Sequence, residues 1–196
     1  MSKSFFLLSA FFVAATFATA QTSSGNFMFG GGINISSVSR QSAVDADNSS
    51  FSFSPSAGYF VGENFAVGLG FTIASEKSGP ANNRIKETSF GIGPFARYYF
   101  FTSNDQFAIF GQAGLSLANG KTKYSGGDID RATSTTFSVF PGAAYFFNEH
   151  WAVELAITGF VVSAYDPDTN NDNDKVTSVQ FGLHSFSPTL GFRYHL

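Results

Sequence analysis

The 196-residue chain has no cysteine, so disulfide staples and lipid attachment through a thiol are both excluded. Charge is scarce as well: Asp, Glu, Lys and Arg make up 13% of the residues, with a net charge of −3. A balance that small and that dispersed argues against a nucleic-acid partner. No segment repeats its apolar residues at helical spacing. The longest mainly apolar stretch, Phe5 to Phe17, is shorter than the roughly 20 residues a spanning helix needs.

That stretch has another explanation. Lys3 precedes it and Ala18-Thr19-Ala20 follows it, the order of a positive n-region, an apolar h-region and a small-x-small cleavage site. Residues 1–20 are therefore expected to be a cleaved secretory signal peptide, and residues 21–196 a single domain.

What the domain has in abundance is Phe, Gly and Ser in strict alternation. In the C-terminal stretch Phe186, Pro188, Leu190, Phe192, Tyr194 and Leu196 share one parity, against Ser187, Thr189, Gly191, Arg193 and His195. Period two means a strand. Related phrases, in which a Phe and a Pro lead into aromatics, are centred on Pro55, Pro94, Pro141 and Pro188. Each of the first three is followed by a short polar turn and a second apolar strand. The repeat is a hairpin, and four copies give eight strands, expected at 26–37, 50–61, 65–75, 88–100, 106–119, 134–147, 151–163 and 176–196.

The faces separate cleanly. Phe65, Val67, Leu69, Phe71 and Ile73 oppose Ala66, Gly68, Gly70 and Thr72, and Trp151, Val153, Leu155 and Ile157 oppose Ala152, Glu154, Ala156 and Thr158. Connections alternate between short (62–64, 101–105, 148–150) and long and polar (38–49, 76–87, 120–133, 164–175). The expected architecture is all-β, an eight-stranded antiparallel up-and-down transmembrane barrel. A soluble ligand-holding barrel is the alternative, and charge placement decides between them. Arg97, Glu154 and Arg193, the charges deep within strands, all share the Gly/Ser/Thr face, whereas a charge facing lipid near the midplane costs about 2–4 kcal/mol. Tyr59, Tyr98, Tyr145, Trp151 and Tyr194 gather near the short turns, where an aromatic girdle belongs.

The signal peptide, the four hairpins and the Leu190-Gly-Phe-Arg-Tyr194 ending resemble the small outer-membrane β-barrel family of the OmpA/OmpX type, most of all the porin-family barrels of Bacteroidetes-like bacteria. The resemblance implies location in the bacterial outer membrane after export through the periplasm, with outer-membrane lipid and lipopolysaccharide as surroundings. It also implies insertion by the outer-membrane assembly machinery through the C-terminal strand. It implies a structural, membrane-integrity or adhesion role, with a narrow channel as the alternative and a lipid-modifying enzyme as the remote one.

Three candidate sites follow. Arg97, Glu154 and Arg193 are expected to form an ion-pair network that plugs the lumen, with water or inward Tyr99 solvating the leftover positive charge, because an eight-strand interior is only wide enough for side chains to fill it. The loop residues Asp166, Asp168, Asn170, Asp172 and Asp174 alternate oxygen ligands suited to calcium but lack the Gly and final Glu of an EF-hand. No nucleophile–base pair is visible, since His184 and Ser185 are adjacent and point to opposite faces. No enzyme activity and no cofactor are expected. The long loops are where an extracellular partner would bind. A parity switch between Phe181 and Phe186 predicts a bulge near His184-Ser185.

Overall fold

The computed structural model describes residues 22–40, 46–80, 84–127, 129–157, 159–167, 175–181 and 189–196. They form ten strand segments: β1 Phe27–Arg40, β2 Ala46–Gly62, β3 Phe65–Ser78, β4 Ile85–Phe101, β5 Phe107–Lys123, β6 Ile129–Phe146, β7 Trp151–Ala156, β8 Phe160–Asp166, β9 Val176–Phe181 and β10 Thr189–His195. Every pairing is antiparallel. β7 and β8 both run along β6 and so form one broken seventh strand. β9 pairs with β8, while β10 pairs with β7 and β1, so these two make up the eighth. The β1–β10 pairing closes a barrel of eight strands.

The alternation read from the sequence is the alternation of the walls. Val67, Leu69 and Ile73 are exposed outward while Ala66 is fully buried inward, and Ile109, Leu115 and Leu117 oppose buried Ala108 and Phe110. Few exposed apolar residues stand alone. They form a continuous outer belt, which a water-soluble protein would not leave bare.

Two expectations need correcting. First, most strands extend beyond their expected ends, so much of what reads as long loop is hairpin. β5 and β6, for example, stay paired out to Lys123 and Ile129. Polar residues there pair through the backbone with water on both faces, so no apolar row marks them. Second, the seventh strand does not run unbroken. Gly142 faces Ala156 and Val139 faces Phe160, so the two stretches of pairing are out of step by one residue. One extra residue is a bulge, and it flips the parity. Trp151 and Leu155 face out below it, and Phe160 and Val162 fall on the outward side above it, opposite Val139 and Phe137. The bulge expected near His184-Ser185 lies outside the described residues. Its flanks carry outward rows of opposite parity, Val179 and Phe181 against Leu190 and Phe192.

The strand prolines acquire a physical reason. On one side each keeps its partner: Pro55 faces Gly31, Pro94 faces Leu69 and Pro141 faces Gly111. On the other side the ladder is interrupted at each one. Pairing skips from Phe53 to Ser56 against β3, from Ile92 to Phe95 against β5, and from Val139 to Gly142 against the seventh strand. The missing N–H falls where the ladder is already open, which is how a proline survives inside a sheet. Pro188 lies outside the described residues.

The wall assignment has a direct test. Cysteines placed at Leu69 and Leu155 should react with a membrane-soluble maleimide in the folded barrel, and cysteines at Gly70 and Ala156 should be spared. The inverse pattern would reverse inside and outside.

Candidate functional site

The short-turn half of the lumen is filled by side chains from almost every strand. Met28, Phe60, Tyr99, Phe110, Phe146 and His195 are all at most 1% exposed. Tyr99 packs against Phe60, Phe110, Phe146 and His195 with ring centroids 5.8–6.3 Å apart. The turns below are tied locally. Asn148 Oδ1 accepts from the backbone N–H groups of His150 and Trp151, and Asn64 takes a left-handed conformation with φ 60°.

On this aromatic layer sit the three charges. Arg193 is directly opposite Ala152 and Glu154 directly opposite Gly191, so the pair meets on the diagonal. The small partners leave room for the long side chains to lie flat in a narrow bore. Arg193 donates from Nε to Glu154 Oε1 at 2.8 Å and from Nη2 to Oε2 at 3.0 Å, the two-pronged geometry of a strong pair. From the opposite wall Arg97 donates Nη1 to the same Oε1 at 2.5 Å. β4, β7 and β10 are thereby tied together across the lumen.

A second set of contacts fixes the network. Arg97 Nε donates to Gln112 Oε1 at 2.8 Å, and its Nη1 also reaches the Tyr99 hydroxyl at 3.0 Å. Tyr99 in turn donates to Glu154 Oε1 at 3.1 Å. Arg193 Nη1 donates to Ser56 Oγ at 3.2 Å. The Arg97 guanidinium carbon lies 4.1 Å from the centroid of the Phe110 ring, a cation–π contact. Phe110 can lie there because its register partner is Gly142, where a Cβ would run into the ring.

Gln112, Ser56 and His195 are the members that sequence reasoning passed over. Parity marked Gln112 as inward, and its direct register with Arg97 would have completed the inference. His195 shares the inward parity of Arg193 but has no role in the sequence reading; its ring is sealed under the plug and its backbone N–H donates to His150 O at 2.7 Å. Of the candidate cation-loop residues only Asp166 is among those described. Asp166 ends β8 with Oδ2 3.9 Å from Lys175 Nζ, while Asp168, Asn170, Asp172 and Asp174 lie outside the described residues. Among the described residues no three His, Cys, Asp or Glu side chains are placed to hold a metal ion.

Above the plug many of the inward positions are Gly, Ser, Thr or Ala, alongside the larger Phe95, with hydroxyl pairs such as Thr136–Ser163 at 3.0 Å and Ser54–Thr72 at 3.4 Å. At the outer mouth a cavity of about 220 Å³ is walled by Glu76, Glu87, Ser89, Thr122 and Tyr165. The Glu76 and Glu87 backbones are direct cross-strand partners.

A closed eight-strand barrel with an apolar outer belt and a packed, charged interior defines an integral outer-membrane β-barrel protein. The chain belongs to the outer membrane protein beta-barrel domain family, whose model matches residues 4–184. Among solved structures it is similar to Neisserial surface protein A, with 17% identity, 87% of this chain and 97% of that one covered, and a TM-score of 0.53. It is also similar to the outer membrane protein OprG of Pseudomonas aeruginosa (16%, 89% and 97% covered, TM-score 0.46). The N-terminal barrel domain of OprF from the same organism is a further relative (14%, 88% and 98%, TM-score 0.41). A search of curated proteins gave no match. The protein resides in the bacterial outer membrane, and its belt faces the lipid of that membrane.

Proposed function

We propose that this protein is a closed barrel with a structural or adhesive role at the cell surface, its lumen plugged by Arg97, Glu154 and Arg193 over the aromatic layer. The observation that carries the reading is the depth of burial. The three charged side chains are at most 6% exposed, and the rings of Phe60, Tyr99, Phe110 and Phe146 below them are sealed. A layer this filled leaves no continuous water path. Residues 1–20 would be removed on export, and the mature barrel inserted by the assembly machinery through β10. The hairpin tips on the long-connection side would then meet lipopolysaccharide or a partner outside the cell.

Planar-bilayer recording separates this reading from a narrow channel. The wild-type barrel is expected to give no sustained current. Stable ion-selective openings whose selectivity changes in Glu154→Gln would overturn it in favour of a channel. Release of fatty acid from lipopolysaccharide by the purified barrel would overturn it in favour of an enzyme.

A further inference from the structure

The charges of the plug do not cancel. Two guanidiniums face one carboxylate, each side chain at most 6% exposed. Arginine keeps its proton at any pH a folded protein meets, so even with Glu154 ionised the layer carries one excess positive charge. Among the described residues the other inward carboxylates are remote. Glu76 and Glu87 lie ten residues along their strands from the register pair Ala66 and Arg97, about 33 Å at the rise of a strand. The Phe110 ring and the Tyr99 hydroxyl offset part of the charge, but neither is a counter-ion.

Donors are left over in the same place. A guanidinium has five N–H groups. Arg97 spends Nε on Gln112 and Nη1 on Glu154 and Tyr99. Among the described residues its Nη2 has no hydrogen-bond partner, yet it is not sealed off as a fully buried atom would be. Arg193 Nη1 reaches only the Ser56 hydroxyl. Both guanidiniums touch Glu154 Oε1, so their remaining edges share one neighbourhood.

That neighbourhood can be reached only from above, because the aromatic layer closes it below. The wall above it is lined by small residues that are not crowded: a Cβ added at Gly32, Gly70 or Gly114 would make only ordinary van der Waals contacts, at 3.4–3.9 Å. From these observations we infer that the outer side of the plug binds one small monovalent inorganic anion, held by the free edges of Arg97 and Arg193. The barrel is then a blind, hydroxyl-lined cup with an anion at its floor. A buried charge without a counter-charge is costly, so filling this position stabilises the fold.

The inference rests on the closed-lumen reading, and the two fail differently. Sustained current through the wild-type barrel would sink the closed lumen. A non-conducting barrel indifferent to chloride would sink the anion site alone. The probe is chloride, titrated into the folded full-length barrel in detergent at constant ionic strength, with a bulky sulfonate as the balancing anion. The midpoint of thermal unfolding should rise once chloride exceeds its dissociation constant, by about 4 °C for each further tenfold. Gln112→Glu places a carboxylate beside Arg97 Nε and Ser56→Asp places one beside Arg193 Nη1. Whichever of these folds should show a flat chloride response and a midpoint in sulfonate at least as high as the wild type's in chloride. A flat wild-type titration, or a variant that responds as the wild type does, would overturn the site.

Discussion

Replacing Glu154 by Gln is expected to destabilise the folded barrel by about 3–5 kcal/mol, the usual cost of removing one partner from a buried ion pair. The side chain keeps its length and one carbonyl oxygen, so packing changes little and the effect isolates the charge. Four hydrogen bonds now converge on the carboxylate: two from Arg193, one from Arg97 and one from Tyr99. The amide offers a single acceptor and turns an N–H₂ toward a guanidinium. Two uncompensated cations then remain inside the lumen. Unfolding by urea from lipid vesicles, followed through the emission of Trp151, the only tryptophan, measures the loss. The ring of Trp151 faces outward at the short-turn edge and leaves lipid when the barrel opens. A loss below about 1 kcal/mol, the range of exposed pairs, would show that water already solvates the network.

The companion variant gives the opposite sign. Removing all three charges together, as Arg97→Met, Glu154→Leu and Arg193→Leu, should restore most of the stability that Glu154→Gln loses. Replacing a whole buried ion cluster by apolar residues of similar volume is commonly neutral or stabilising. The network therefore contributes little net stability compared with an apolar plug, and its value lies in how it closes and charges the lumen. If the triple variant is as weak as Glu154→Gln, the network's geometry matters beyond its charge balance.

The barrel was legible from sequence because lipid enforces one rule without exception on one face. Leu69, Ile109 and Leu155 could be placed outward by counting in twos, since a polar residue at any of them would be costly. The rule lapses where lipid ends. The strand extensions around Lys77, Lys123 and Ile129 are held by backbone pairing in water, and their side chains carry no period. It also fails at a bulge, where only the parity of Phe160 and Val162 against Leu155 records the extra residue. At the site, Glu154 and Arg193 could be paired because they lie on neighbouring strands at similar depth. The bond from Arg97 to the same oxygen crosses the bore from β4, and depends on the tilt and shear of the whole barrel, which no local pattern encodes. Ser56, far from Arg193 in sequence, was hidden for the same reason.

The prolines point to where the wall itself is most sensitive. Gly93 precedes Pro94 at the gap in the β4–β5 ladder, and there the two backbones crowd together. A Cβ on Gly93 would collide with the carbonyl of Leu115 and press on Cα of Ser116. Both obstacles are backbone, so no rotamer change relieves them, and the neighbouring strand itself must move. Gly93→Ala is therefore expected to cost about 3 kcal/mol, the upper end for overpacking a closed interior, and to slow insertion into vesicles. Gly111 provides the matched control on β5. It faces a proline, Pro141, across the β5–β6 ladder, but a Cβ there would meet nothing within 4 Å. Gly111→Ala should be neutral or stabilise the barrel by about 0.5–1 kcal/mol, because alanine lowers the entropy of the unfolded chain without strain. The urea midpoint read through Trp151 compares the two directly. Equal midpoints for Gly93→Ala and Gly111→Ala would mean that the ladder gap at Pro94 is elastic, and that the close approach of β4 and β5 does not limit stability.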